Sequence, residues 1–295
     1  MKTVTIVMLN WNGWEHTVES LDSLLRLDYP SYKILLVDNN SDDDEGNRLR
    51  QKYNGRVEVL INNKNVGFCG GNNVGIRHAL RHGTDYVLLI NNDVEVEPNF
   101  LQELVNILNE NPDIGVVGPK IVLYYYRTSL DSIGGHVNFW TATGKLYKKS
   151  YTNVRSDLNF VSGCCMLLRK DVFEDIGFFN EDYFSYWEET DLCLRAKKAG
   201  WQIACNPHSV IYHKVGKANK YLSNKYIYYM LRNSILCMRQ NGRWYQWPSF
   251  IVLFFLKFFA GYTAYLMIKR PRSLFVPWLA IFDFSTGRFG KREGL

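Results

Sequence analysis

The chain has 295 residues, 46% hydrophobic and 22% charged, which excludes a disordered or fibrous polymer and leaves ample length for a packed core. Its formal net charge of +6 is unevenly spread: residues 1–195 carry 19 Lys and Arg against 27 Asp and Glu, a balance of −8, and residues 196–295 carry 16 against 2, a balance of +14. So basic a last third needs an anionic partner: nucleic acid, an acidic membrane surface or a phosphorylated substrate. Cys69, Cys164, Cys165, Cys193, Cys205 and Cys237 form no C-x-x-C pair and no zinc spacing, as expected of buried thiols in a reducing compartment. The apolar N-terminal run is too short for a secretory signal and predicts a strand, so any catalytic part is expected to face the cytoplasm.

In chain order, Val4–Leu9 predicts a buried strand leading into the loop Asn10-Trp11-Asn12-Gly13. Val18, Leu21, Leu24 and Leu25 recur at helical spacing, and Tyr29-Pro30 ends that helix. Ile34–Val37 predicts a second strand, broken by Asp38-Asn39-Asn40-Ser41-Asp42. A helix through Leu49, a strand at Val57–Ile61, a Gly- and Asn-rich turn, a helix from about Asn73 to His82 and a strand at Tyr86–Ile90 follow. Unbroken apolar strands alternating with helices predict a parallel sheet covered on both faces. Ligands of such sheets sit beyond the carboxyl ends of the strands, here Asn10–Gly13, Asp38–Asp42, Asn62–Asn73 and Asn91–Asp93. Turn chemistry explains any one of these polar segments; four in register point to a ligand. The segment Asn65–Asn73 can present backbone N–H groups to a diphosphate, yet it is neither G-x-G-x-x-G nor a Walker A sequence.

The middle third, from about Pro119 to His213, is less regular. An apolar run at Cys164–Leu168 precedes a short helix, and the aromatic stretch Tyr183-Phe184-Ser185-Tyr186-Trp187 runs into Glu188-Glu189-Thr190-Asp191 at the start of another helix ended by Gly200. Those carboxylates fit either a helix N-terminus with favourable dipole charges or a base held beside an aromatic-walled pocket. His213 follows a strand-like run and is a candidate ligand. In the last third, Tyr226–Cys237 predicts a helix carrying Arg232, which faces either a phosphate or solvent. Phe250–Ile268 is nineteen residues of apolar chain broken only by Lys257, long enough to span a bilayer but with a mid-run charge that argues against it. Flanking basic residues (Arg239, Arg243, Lys269, Arg270, Arg272) and the shorter run Leu274–Phe284 predict helices lying in or dipping into an anionic membrane interface; a hairpin buried against the preceding domain is the competing expectation.

Several motifs together resemble the family 2 glycosyltransferases, in particular their rhamnosyltransferase-like branch. They are Val4-Thr5-Ile6-Val7 with Asn10-Trp11-Asn12-Gly13, Val37–Asp42, Asn65-Val66-Gly67-Phe68 with Gly70–Gly75, Leu89–Val94, Ser162-Gly163 with Met166-Leu167, Gly177–Glu181, Glu188–Arg195 with Ala199-Gly200, His213, and Arg232-Asn233. The resemblance covers residues 1 to about 240 and implies an α/β, Rossmann-like GT-A fold with a mostly parallel central sheet; the apolar runs beyond it add the expectation of a C-terminal helical membrane-associating segment. Residues 1–118 would form the nucleotide-sugar half, 119–220 the acceptor half of the same domain, and 221–295 the helical module.

The same resemblance implies Glu189, where the family commonly has Asp, as general base. It implies Asn10, Asn12, Asp38, Asn40, Gly67, Gly71, Asn72, Asn92 and Asp93 as nucleotide-sugar contacts, with Asp38 on the base. Asn91-Asn92-Asp93 stands for a D-x-D-type triplet in which only Asp93 keeps a carboxylate; Asp93 and His213 would bind Mg2+ or Mn2+. Trp187, Glu188, Asp191 and Arg232 are the acceptor-side candidates. With one base and no carboxylate nucleophile, the expected reaction is transfer with inversion from a nucleotide-diphosphate sugar to a lipid-linked or polysaccharide acceptor at the cytoplasmic face of the membrane. A non-catalytic sugar-nucleotide-binding scaffold and a nucleotidyltransferase are the alternatives, and nucleic acid is not an expected partner.

Overall fold

A computed structural model of the protein describes residues 1–149, 151–214, 223–270 and 273–295. The first half alternates strand and helix as β1 (Val4–Asn10), α1 (Trp14–Leu24), β2 (Tyr32–Asp38), α2 (Glu45–Lys52), β3 (Glu58–Ile61), α3 (Gly67–Arg81), β4 (Tyr86–Asn91), β5 (Val94–Val96) and α4 (Phe100–Glu110). Then come β6 (Ile114–Leu123), β7 (Tyr126–Ser132), β8 (Gly135–Asn138), β9 (Thr143–Leu146), β10 (Cys165–Arg169), α5 (Lys170–Ile176), α6 (Glu188–Lys198) and β11 (Gln202–His213). The chain closes with α7 (Asn224–Asn241), α8 (Trp247–Phe254), α9 (Ala260–Lys269) and α10 (Phe275–Ser285).

The central sheet has the order β3-β2-β1-β4-β10-β6-β11-β5, with β7 paired to β6. Pairing is parallel across β3-β2-β1-β4 and between β6 and β11, whereas β10, β5 and β7 run the other way. Alternation along each strand feeds two cores. Val4, Ile6 and Met8 of β1 pack with Leu21 and Leu24 of α1 and Phe100 and Leu104 of α4. Val7 joins Ile76 and Ala79 of α3, Val172 of α5 and Leu192 and Cys193 of α6 on the opposite face. All six cysteines are buried and unbridged.

One expectation on boundaries changes. The helix expected from Asn73 begins at Gly67, because its glycines are the contact surface: a Cβ on Gly71 would stand 2.3 Å from Leu9, and one on Gly75 2.3 Å from Val7. Close approach of helix to sheet, not turn formation, is what selects glycine there. The division at 118/119 falls inside β6, and β10 inserts between β4 and β6, so the two expected halves share one sheet. The second division, at 220/221, and Arg272 lie outside the described residues.

Helix α7 packs back onto this domain through Leu236 and Cys237, and α8, α9 and α10 gather on its other side around Phe250, Phe254, Leu266, Val276 and Ala280. Trp244–Lys269 is one 26-residue helix with mean hydropathy 1.9, long and apolar enough by length and composition to cross a membrane, and it is the one such helix among the described residues. A π-helical turn at Phe255–Phe259 interrupts it around Lys257. Its outward side chains include Val252, Leu256, Met267 and Ile268, 57–76% exposed.

Candidate active site

The site is organised by a strained loop. Phe184, Tyr186 and Trp187 have φ of 63°, 70° and 74°, a region that aromatic side chains rarely occupy, immediately before the acidic start of α6. Asn233 holds this loop by donating from Nδ2 to the carbonyls of Tyr183, Ser185 and Tyr186 at 2.8–2.9 Å. Arg232 donates to the carbonyls of Asp182, Tyr183 and Gly290 at 2.8–3.1 Å and is 1% exposed. The guanidinium of Arg232, expected on the acceptor side, thus clamps the loop from inside the protein. Asp191, likewise expected on the acceptor side, is also engaged within the protein. Fully buried, it pairs with Arg195 at 2.8 Å and accepts from Asn241 Nδ2 at 2.7 Å, anchoring α6 to α7.

Beyond the loop lies a cavity of about 560 Å³ lined by Phe68, Asn91, Phe160, Cys164, Tyr186, Trp187, Glu188, Glu189, His213, Tyr226 and Met230, among others. Thus Glu189 and His213, distant in sequence, face one space. The pKa of Glu189 is raised, chiefly by burial, against the hydrogen bonding of the α6 N-terminal amides. Glu188 is also raised, by burial first and then by the charge of Glu189. Glu188 is 6% exposed, and its Oε2 has no hydrogen-bond partner among the described residues; neither has the buried indole Nε1 of Trp187.

His213 Nδ1 lies 3.0 Å from Asp131 and Nε2 lies 3.4 Å from Asp93. Burial works against a charge on His213, but Cys164, Asp131 and Asp93 around it raise its pKa above the usual imidazole range. Asp131 is the residue that sequence reasoning missed. It lies on β7, an edge strand without motif character, and only the pairing of β7 with β6, itself beside β11, brings it to His213.

The strand-end loops form a third group. Asn10 is fully buried: its Nδ2 donates to Asp38 at 2.7 Å and Glu45 at 2.8 Å, and its Oδ1 accepts from Thr17 and Asn92. Asp38, 1% exposed, also accepts from the Ser41 hydroxyl and amide. Gly67 (φ 77°) abuts Phe184, Gly71 faces Leu9, and Asn72 donates to the Phe68 carbonyl. Asn10, Asp38, Gly71 and Asn72, expected as nucleotide-sugar contacts, also frame the strand-end loops through these contacts. Asn12 and Asn40 are exposed, both with positive φ, and Asn12 exchanges hydrogen bonds with Asp42. Asn92 remains half-buried at the rim.

This sheet order, with a cavity at the strand ends opposite an acidic helix start, is that of a GT-A fold. A family model described as "Glycosyl transferase family 2" matches residues 5–177. The low-salt glycan biosynthesis hexosyltransferase Agl10 of Haloferax volcanii is 27% identical over 245 residues, 79% of this chain and 74% of that relative. The N-acetylglucosaminyl-diphospho-decaprenol L-rhamnosyltransferase of Mycobacterium tuberculosis is 27% identical over 234 residues, 71% of this chain and 75% of that relative. The crystal structure of GalNAc-T7 with UDP, GalNAc and Mn2+ matches with a TM-score of 0.68 at 17% identity, covering 81% of this chain and 48% of that one, a likeness of fold alone. The chain belongs to glycosyl transferase family 2, resembles its rhamnosyltransferase-like branch, and is a glycosyltransferase.

Proposed function

We propose that the protein transfers a sugar, with inversion, from a nucleotide-diphosphate sugar to a hydroxyl of a lipid-linked or polysaccharide acceptor, with Glu189 as the base. The observation that carries this reading is the shared cavity, lined by both Glu189 and His213, with Asp93 beside the His213 ring. An acceptor hydroxyl is a weak nucleophile near neutral pH, and Glu189 takes its proton as the bond to the sugar carbon forms; the nucleoside diphosphate leaves from the opposite side. Asn12, Asn40 and Asn92 at the strand-end rim suit the polar nucleotide, and Asp38 sets the loop that carries Asn40.

Among the described residues no three His, Cys, Asp or Glu side chains gather as a metal cluster, so a divalent cation would rest on Asp93 and His213 together with the donor's phosphates. Asp93 and His213 present a carboxylate oxygen and an imidazole nitrogen to one another, and Asp131 on Nδ1 fixes the ring as outer carboxylates do in carboxylate–histidine–metal arrangements. Mg2+ or Mn2+ held by Asp93 and His213 would supply charge stabilisation to the departing diphosphate. The relative from Mycobacterium tuberculosis is named for a decaprenol-linked substrate, which supports a lipid-linked acceptor here.

A membrane-facing role, at the cytoplasmic side of an anionic bilayer, is read from the outward apolar side chains of Trp244–Lys269 and α10, flanked by exposed Arg243, Lys269 and Arg270. Nucleoside diphosphate release from uridine-, thymidine- and guanosine-diphosphate sugars, with and without excess chelator, tests the chemistry. Release from one donor class that the chelator abolishes is expected; turnover undiminished in chelator removes the metal role, and no turnover of any donor with a broad acceptor panel removes the transfer reading. Val252→Glu with Leu256→Glu should release the protein from phosphatidylglycerol vesicles. These substitutions are cleaner than removing residues 245–295, which would strip the Gly290 carbonyl from Arg232 and the buried Asp283 from Tyr228.

A further inference from the structure

The β8–β9 hairpin joins the long apolar helix to the cavity. Its inner residues Val137, Gly144 and Leu146 line the cavity, and a Cβ on Gly144 would stand 3.8 Å from the Trp187 ring. Its tip reaches the other way. Ala142 is buried in the cluster that holds Phe250 and Phe254, the Trp140 ring lies 5.5 Å from Tyr245, and Lys257 Nζ donates to the Thr141 carbonyl at 3.3 Å. Phe250, Phe254 and Lys257 follow one another at helical spacing, so one face of the helix grips the hairpin, while Val252, Phe255 and Leu256 point outward. An ammonium in hydrocarbon is costly; Lys257 is exposed, and its amine has the Thr141 carbonyl of the hairpin tip as acceptor.

We infer that the hairpin is a movable wall of the cavity whose position is set by an anionic phospholipid bilayer through Trp244–Lys269. This rests on the membrane reading above and extends it: the bilayer concentrates the enzyme beside its acceptor and also orders the wall facing Trp187. The occupant of the apolar face is lipid because the exposed side chains are large and aliphatic or aromatic, and exposed Arg243, Lys269 and Arg270 bracket them. The coupling is mechanical. Helix α8 and the π-turn are fixed when their outward face enters the interface, and the tip residues Trp140 to Ala142 are then held from behind.

Backbone hydrogen exchange over residues 135–146, measured on the full chain with and without phosphatidylcholine vesicles containing phosphatidylglycerol, tests this, with co-sedimentation run in parallel. Bound wild-type protein should exchange roughly tenfold more slowly there, the effect of a few added contacts on a local opening. Lys257→Met, which keeps a long, helix-compatible side chain, should still sediment with vesicles but lose most of that protection; Trp140→Ala should do the same. Sedimentation with unchanged exchange in the wild type overturns the coupling and leaves the membrane reading standing. Full protection retained in both variants also overturns it. Failure of the wild type to sediment overturns the membrane reading itself, and the coupling with it.

Discussion

Glu189→Gln isolates the proton transfer. The substitution keeps side-chain volume, which matters because the site is tight: a Cβ on the facing Gly163 would lie 3.3 Å from Glu189 Cβ. It removes only the basic oxygen. A positioned general base contributes about 10²–10⁴-fold, so turnover should fall by that factor, equivalent to about 3–5 kcal/mol of transition-state stabilisation. Nucleoside diphosphate affinity, measured by calorimetry, should stay within about twofold, because the strand-end rim that receives the nucleotide is untouched. A second signature comes from pH. Burial raises the Glu189 pKa above its ordinary 4.5. The base must be ionised to work, so wild-type kcat/KM should rise with pH through an acid limb above 4.5 and level off once Glu189 is deprotonated. The residual activity of the Gln variant should lack that limb. Near-normal turnover in the variant, or an unchanged acid limb, refutes the assignment.

Arg232→Met should destabilise the fold by about 1–3 kcal/mol in chemical denaturation, since the Gly290 carbonyl loses its donor while those of Asp182 and Tyr183 keep the Gly290 N–H and Asn233 Nδ2. A change below about 1 kcal/mol with transfer lost would instead return Arg232 to the acceptor. Asp131→Asn should weaken Mn2+ binding, read by calorimetry in the presence of nucleoside diphosphate, by about 10–100-fold through loss of its hold on His213; unchanged affinity removes Asp131 from the site. Gly75→Val should cost about 1–3 kcal/mol in urea unfolding by forcing α3 off β1, with no loss of cooperativity.

What the sequence made legible was what strand periodicity and strand-end polarity encode. The parallel run β3-β2-β1-β4, the buried thiols, the helix at Glu188 and the placement of His213 at a strand end are local signals, and each appears as expected. The start of α3 was not legible, because glycine disfavours a helix on propensity alone and only the approach of Leu9 and Val7 explains it. Asp131 had no local mark at all. Arg232-Asn233 was recognised as a motif but its direction was not, since whether a helical Arg faces ligand or backbone depends on a loop some fifty residues earlier in the chain.

The division of charge takes on a narrower meaning for the same reason. Part of the positive excess of the last third works inside the protein. Arg232 clamps the loop, Lys197 donates to the Leu158 carbonyl, Lys198 to Gln240 and Asn241, Lys214 pairs with Glu19, and Arg292 lies 3.1 Å from Asp283. Those charges hold the acidic-helix loop and the C-terminal helices to the domain, so they do not add to a long-range attraction. Among the remaining exposed basic residues, Arg243, Lys269 and Arg270 bracket the apolar helix. On the membrane reading proposed above, a few exposed basic residues at about 1 kcal/mol each would give only modest electrostatic binding, and the apolar face would supply most of the attachment.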